Sequence, residues 1–377
     1  MYSCSLCFRT FSKRSSYESH QARVRPCRTE VSTANTSLGT SLDTSLDTGL
    51  DTALNTSLDT SLGTSFGTTL EPVKPVIKWV GGKTQILSEI LERFPRTCRN
   101  YYEPFLGGGS VLLGVLAAIR AGTLQLNGTL YASDINPSII GLYQTIQRDP
   151  DTLLAELRIL MTEFSECTGT HGNRSPTTHE EAMTSRESYY YWTRSLFNQL
   201  TSQEKQGPRG ASLFLFLNKT CFRGVYRESA NGFNVPYGHN KNPGIADETH
   251  LRTVSEWIQP VVFRVASFAD VLGSAQSGDM VYLDPPYVPE TATSFVTYTA
   301  GGFCHHKTLF DQCHAMTERG VSWLMSNADV PLVRTSFPPP YTTSVILCRR
   351  AIHSKRPDST TNEVLIQRGE TGRENLV

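Results

Sequence analysis

The chain lacks a net charge. Its 35 lysines and arginines are matched by 35 aspartates and glutamates, so no global field marks it for a polyanionic partner. It also lacks any apolar run near the roughly 18 residues of a membrane span, and its N-terminus has no apolar stretch of a secretory signal. The nine cysteines are odd in number and show no disulfide-framework spacing, which argues against an oxidised secreted scaffold. These absences point to a reduced, soluble intracellular protein, in the cytoplasm or the nucleus. The 377 residues suffice for one large or two ordinary domains.

The zero is a cancellation between segments. Residues 1–30 hold six bases (Arg9, Lys13, Arg14, Arg23, Arg25, Arg28) against Glu18 and Glu30, whereas residues 36–70 hold four aspartates and no base. That acidic stretch repeats a four-residue unit of the type Ser-Leu-Asp-Thr eight times between Ser37 and Thr68. The period is too short for a solenoid, and one apolar residue in four cannot bury a core. Thr, Ser, Asp and Gly resist a helix. The stretch reads as a disordered acidic tether over 31–71, reaching roughly 35–40 Å as a random coil.

The strongest local signal lies far downstream, in Asp279-Met280-Val281-Tyr282-Leu283-Asp284-Pro285-Pro286-Tyr287. An apolar β-branched and aromatic run reads as a buried strand. Neither proline can donate to a sheet ladder, so the strand ends where the carboxylate of Asp284 emerges. Asp284 and the carbonyl of Pro285 can accept the two hydrogens of an exocyclic amine, while Tyr287 offers a face to a flat ring.

Upstream, Lys78-Trp79-Val80-Gly81-Gly82-Lys83 places a sharp glycine turn between Trp79 and Lys83. Tyr101-Tyr102-Glu103-Pro104-Phe105-Leu106-Gly107-Gly108-Gly109-Ser110 then reads as a strand and a glycine-rich turn before an apolar helix, Val111 to Ile119. A second strand, Leu130 to Ala132, ends in Ser133-Asp134-Ile135-Asn136. Strand, glycine turn, helix and an acid at the next strand end open a nucleotide-binding α/β fold, the acid gripping ribose hydroxyls. From Asn136 to Val261 the periodicity is mainly helical, with Tyr189, Tyr190, Tyr191, Trp192 and Phe197 as core. Asn218 to Lys241 carries Lys219, Arg223, Arg227 and Lys241 against Glu228, with a hairpin turn at Ala230-Asn231-Gly232. A basic ribbon of this size fits a major groove. Val288 to His306 reads as a polar loop able to close over a substrate, with His305 and His306 facing solvent.

With these blocks in this order, residues 74–366 resemble the DNA adenine methylase family, which transfers a methyl group from S-adenosylmethionine to adenine. The resemblance implies a Rossmann-like α/β methyltransferase sheet (72–140 and 261–368) with an inserted, mainly helical target-recognition domain (141–260) and a short tail (369–377). It implies cofactor contacts from Trp79, Lys83, Glu103, Phe105, Gly107, Gly109, Asp134 and Asp284. Asp284, Pro285, Pro286 and Tyr287 would hold the target base. Lys219, Arg223, Arg227, Asn234, Pro236 and Lys241 would meet double-stranded DNA, Arg227 reading a guanine of GATC. Arg223-Gly224-Val225 departs from the family's usual Asn-Gly-Leu. A monomer on DNA is expected. A cytosine amine would suit the same geometry, and a DNA-binding protein with an inactive methyltransferase domain is the alternative from another class.

The first 30 residues carry a further resemblance. Cys4, Cys7 and His20, with Phe11 and Tyr17 between them, have the spacing of a ββα zinc finger. Cys27 falls one residue later than that family's fourth ligand, after Pro26. The resemblance implies zinc on Cys4, Cys7, His20 and Cys27, and helical positions Lys13, Ser16 and Ser19 facing bases. Since every catalytic block lies beyond Lys74, deleting residues 1–70 should leave turnover on short duplexes nearly unchanged while lowering DNA affinity. Steady-state kinetics and binding titrations on the truncated chain check this, and loss of turnover would make the extension part of the enzyme proper.

Overall fold

A computed structural model describes residues 72–289, 303–349 and 360–369, together with residues 2–3 and 10–11. The chain divides into two compact units, residues 1–65 and 66–377. In the first, Tyr2–Ser3 pairs antiparallel with Thr10–Phe11. Cys4, Cys7, His20, Cys27 and the tetrapeptide repeats lie outside the described residues, as do 290–302 of the expected closing loop.

The second unit is built on a seven-stranded sheet: β1 Tyr101–Glu103, β2 Leu130–Asp134, β3 Val261–Val265, β4 Met280–Leu283, β5 Ser322–Ala328, β6 Tyr341–Arg349 and β7 Thr360–Arg368. Their order across the sheet is β6-β7-β5-β4-β1-β2-β3. β1, β2, β3, β4 and β5 pair in parallel. β7 runs antiparallel to both β5 and β6. The expected α/β sheet is therefore present, mostly parallel. The chain leaves β1 toward β2 and β3, then returns to build β4 and β5 on the other side. Such a reversal leaves a crevice at the carboxyl ends of β1 and β4, where ligands bind in sheets of this type.

Local sequence explains the central strands. β4 is buried at every position, as a two-sided parallel strand must be. The glycine-rich turn after β1 leads into helix α1, Ser110–Arg120. Helix α2, Pro137–Arg148, is capped by the Asn136 side chain and has proline at its first position, both favourable start signals.

Between β2 and β3 the chain adds α3 (Pro150–Glu166), α4 (Arg186–Gln199), α5 (Pro208–Thr220) and α6 (Glu248–Trp257). The run Leu213 to Leu217 in α5 is at most 1% exposed at every residue, the mark of a helix apolar all round and packed on all sides. Tyr189, Tyr190, Tyr191 and Phe197 are buried as expected. These side chains share one continuous core with Ile139, Ile140 and Leu142 of α2 and with Leu130 and Ala132 of β2. After β4, helix α7 spans His306–Glu318. His306 departs from the solvent-facing expectation: it is half-buried, edge-on to Phe303 at 4.8 Å between ring centroids, and burial lowers its pKa. The apolar residues that follow it in the helix draw it inward.

At the opposite end of the sheet from the crevice, Asp279 is fully buried. It accepts from Arg99 Nε (2.9 Å) and its terminal nitrogen (3.0 Å), the Asn100 amide (3.2 Å) and side chain (2.9 Å), and the Gln276 amide (2.9 Å). Burial alone pushes this carboxyl up, but the Arg99, Gln276 and Asn100 bonds outweigh it and hold it below the ordinary 3.8. A folded value below the unfolded one gives stability in full above the ordinary carboxylate range, lost as pH falls through the folded value. Asp279→Ala should therefore cost about 2–4 kcal/mol at neutral pH, because buried donors lose their acceptor. In acid the gap from wild type should narrow; urea unfolding at pH 7 and pH 3 checks both.

Candidate active site

Four chain segments converge on the crevice. β4 ends at Leu283, and Asp284 follows with 21% of its side chain exposed. Lys83 reaches it from the Gly81-Gly82 turn: its Nζ lies 2.8 Å from Asp284 Oδ2 and also donates to the Gly81 carbonyl. The Lys83 amide donates to Ser110 Oγ at 3.0 Å, which ties the turn to the start of α1. Among the described residues Asp284 Oδ1 has no hydrogen-bond partner, so this oxygen remains able to accept. Burial raises the Asp284 carboxyl to about 6, against the opposing pull of Lys83. The carboxylate is ionised at neutral pH, with the ammonium beside it opposing the effect of burial.

The glycine-rich turn after β1 is forced by sterics. Gly107 and Gly109 have φ of +48° and +70°, a region side chains avoid. A Cβ on Gly107 would stand 2.7 Å from the Trp79 ring, and one on Gly109 2.6 Å from the Tyr143 hydroxyl. Asp134, at the end of β2, backs this turn. Its Oδ2 accepts from the Gly107 amide at 3.0 Å and its Oδ1 from the Asn136 amide at 2.9 Å. Burial raises the Asp134 carboxyl to about 6, although the Gly107, Asn136 and Ile135 amides pull it down. Next to it Ile135 is 66% exposed and, at the end of β3, Val265 is 40% exposed. Phe105 stacks on Phe268 at 5.4 Å and meets Phe303 edge-on at 6.0 Å. A turn that only glycine permits, an acid behind it and an apolar rim fit the adenosyl part of S-adenosylmethionine.

Other expected contacts are also engaged within the fold. Glu103 is 2% exposed, and its Oε2 accepts from the Tyr101 hydroxyl at 2.6 Å. Burial lifts it to about 8 despite Tyr101, with Asp284 adding to the rise. Trp79 lies against Gly107 and Gly108 and stacks on Tyr226 of the insertion at 5.3 Å. Tyr287 is half-buried, with Lys83 Nζ 5.1 Å from its ring centroid and its hydroxyl donating to Glu363 Oε2 at 2.7 Å.

The basic block is partly a ribbon. Its first three residues, Asn218 to Thr220, belong to the end of α5. The ribbon proper is held by a Cys221–Tyr237 bridge and by Glu228–Ser229 paired with Gly232–Phe233. A short turn at Phe222–Gly224 interrupts it, with Arg223 at φ +57°. Arg227 is exposed, and Nε donates to Asn234 Oδ1 at 2.7 Å, which orients the guanidinium. Arg223, Pro236 and Lys241 are also exposed. Lys219 is half-buried; burial first, and then Lys78, lower its pKa.

Three further residues shape the site although the sequence reading gave them no role. Asn218 is 2% exposed and holds Lys78 by its amide (3.0 Å) and carbonyl (2.9 Å) while also donating to the Gly224 carbonyl (3.2 Å). Asn327 at the end of β5 accepts from the Val288 amide at 3.1 Å. Glu363 anchors Tyr287. Glu363 had a visible signal: it is the lone charge beside the apolar run Val364-Leu365-Ile366. Among the described residues no cluster of three His, Cys, Asp or Glu is placed to hold a metal ion, and no helix is long and apolar enough to cross a membrane.

Comparison with known proteins agrees with this geometry. The sequence model of the D12 class N6 adenine-specific DNA methyltransferases matches residues 79–344. The chain is 36% identical over 265 residues to the type II methyltransferase M.MjaIII of Methanocaldococcus jannaschii, covering 68% of this chain and 84% of that protein. It is 32% identical over 268 residues to the DNA adenine methylase of Escherichia coli K12, covering 68% and 82%. With the retron Ec67 DNA adenine methylase of Escherichia coli it shares 31% identity over 269 residues, covering 70% and 80%. Of the two exocyclic amines that suit a carboxylate beside an aromatic face, these matches select adenine. On the extent of the family match and the identity to these relatives, the chain belongs to the D12 class of N6 adenine-specific DNA methyltransferases.

Proposed function

We propose that this methyltransferase modifies adenine within a short palindrome of duplex DNA, GATC, acting as an intracellular monomer. The observation that carries the catalytic part is Asp284 at the end of β4, partly exposed at the switch point and paired with Lys83 at 2.8 Å. The target amine is inaccessible inside a duplex, so the adenine must be extruded into the crevice. Asp284 Oδ1 and the Pro285 carbonyl then accept the two amine hydrogens, which leaves the nitrogen lone pair directed away from them. Tyr287 carries the ring on its face, and the rigid Pro285-Pro286 step fixes the spacing between carboxylate and ring. Positioning supplies most of the acceleration such a site can give.

When bound, S-adenosylmethionine supplies a methyl group on a sulfonium, which is already a good leaving group. Asp134 would hold the ribose hydroxyls, and the turn at Gly107 and Gly109 would allow close backbone approach. Phe105, Ile135 and Trp79 would wall the apolar part, with Lys83 and Asp284 at the reacting end. Glu103, buried and bonded to Tyr101, would complete the lining next to Asp284. The N-terminal module is assigned zinc on Cys4, Cys7, His20 and Cys27. The pairing of Tyr2–Ser3 with Thr10–Phe11 supports a ββ hairpin at its start.

Asp284→Ala should reduce kcat by about a hundredfold or more, as expected for an acceptor used in the transition state. Protonation would turn Asp284 from acceptor to donor and release Lys83. Wild-type turnover should therefore fall as pH drops through about 6, the value to which burial lifts this group. Single-turnover rates between pH 5 and 8 check both. A variant retaining more than a tenth of the wild-type rate would remove Asp284 from the mechanism.

Specificity is assigned to Arg227, whose guanidinium is oriented by Asn234 and matches the two acceptors of guanine. A bidentate Arg–guanine pair is worth roughly 1–3 kcal/mol of discrimination. Arg227→Ala should relax selection about tenfold to a hundredfold at one base position and leave cofactor binding intact. Lys241→Ala should weaken all sequences alike, as loss of a phosphate contact does. Mapping methylated adenines across a plasmid decides the matter, and marks outside GATC would refute the palindrome while leaving the enzyme class standing.

A further inference from the structure

The antiparallel strand β7 delivers its first residues to the catalytic edge of the sheet. A parallel neighbour would bring its carboxyl end there, but β7 runs the other way. Its register pairs Glu363 with Ala328, the last residue of β5, and with Ile346 of β6. From that place Glu363 Oε2 accepts from the Tyr287 hydroxyl at 2.7 Å. The next residue along, Val288, is held through its amide by Asn327 Oδ1 at 3.1 Å. Tyr287 is thus fixed at two ends, its main chain through β5 and the tip of its ring through β7. Anchoring the hydroxyl fixes the direction of the ring axis, and because a phenolic O–H prefers to lie in the plane of its ring, the bond to Glu363 also biases the rotation about that axis and so the plane that the face presents. Lys83, 5.1 Å from the ring centroid, lies on the Asp284 side of this arrangement.

We propose that Glu363 is a positioning residue for the target base: through the Tyr287 hydroxyl it sets the plane on which the extruded adenine stacks. The inference rests on the reading of Tyr287 as the stacking ring. A base lying on a tilted ring carries its amine away from Asp284, and displacements of about 1 Å are enough to cost about a hundredfold in rate. Burial, followed by the charges of Asp284 and Glu363, raises the Tyr287 phenol well above its ordinary value, so the hydroxyl remains a donor throughout the working pH range.

The test is a cycle of four variants with S-adenosylmethionine and a duplex carrying the methylation site. Glu363→Ala and Tyr287→Phe should each lower kcat about tenfold without changing the KM for S-adenosylmethionine, and the double variant should be no slower than either. Glu363→Gln, which keeps an acceptor oxygen, should recover to within about threefold of wild type. With 2-aminopurine at the target position, stacking on Tyr287 quenches emission in the wild-type complex. Glu363→Ala should bind the same duplex and emit more strongly. Losses that multiply in the double variant, or a Glu363→Gln as slow as Glu363→Ala, would overturn the proposal. If Glu363→Ala fails to fold, Tyr287→Phe decides alone, wild-type turnover counting against it. Tyr287→Ala separates the two layers: if it turns over normally the stacking reading itself fails, whereas its loss beside an active Glu363→Ala defeats only the role of Glu363.

Discussion

The ion pair between Lys83 and Asp284 is the constraint on which the site depends. Burial pushes this carboxylate toward its protonated form, and the Lys83 charge and hydrogen bond oppose that push. The ammonium stands at 2.8 Å and comes from a segment 201 residues away in sequence. Everything that brings the two together is therefore catalytic architecture at one remove. Gly81 and Gly82 turn the chain so that Lys83 points inward, Ser110 fixes the Lys83 amide, and the paired prolines stop β4 where its next side chain is the carboxylate.

The strand order multiplies this arrangement. Each parallel strand of the sheet's centre ends at the same edge, and each contributes one element there. β1 gives the glycine turn, β2 gives Asp134, β4 gives Asp284 and β5 gives Asn327. β7 is reversed, and so supplies Glu363 from its start instead of its end. The opposite edge carries no chemistry but has its own burden. There Asp279 collects donors from Arg99, Asn100 and Gln276, which locks β1 to β4 at the end away from the crevice and leaves the catalytic end to be shaped by ligands and turns.

Much of this is legible in the sequence. The strand that ends at Asp284 announces itself through an apolar run cut by two prolines, and the glycine turn through its composition. The acid after the second strand follows from the general economy of such folds. What stayed hidden shares one physical character: it concerns what each side chain meets once the elements pack, whether that neighbour is near or far in sequence. Glu103 stands in a glycine-rich motif and reads as a ligand contact, and nothing in the sequence signals that it is buried and bonded to Tyr101. His306 sits among polar residues and reads as exposed, but the aromatic side chains of Phe303 and Phe310 draw it inward. Asn218 looks like the first residue of a basic ribbon, whereas α5 carries it to the core. Periodicity reports which face of an element is buried; it does not report what that face meets.

Asn218 also explains how an insertion of helices can serve the reacting end of the molecule. Its side chain satisfies both the amide and the carbonyl of Lys78, the residue just before Trp79, and also binds the carbonyl of Gly224, just after Arg223. Gly224 has φ +65°, and a Cβ there would press within 2.8 Å of the Lys78 side chain, so the two segments are in contact as well as bonded. Trp79 adds a second link by stacking on Tyr226, one residue before Arg227. Four residues further along the first segment is Lys83, on Asp284. The turn that presents Arg223 and Arg227 is therefore fastened to the segment that holds Lys83 against Asp284.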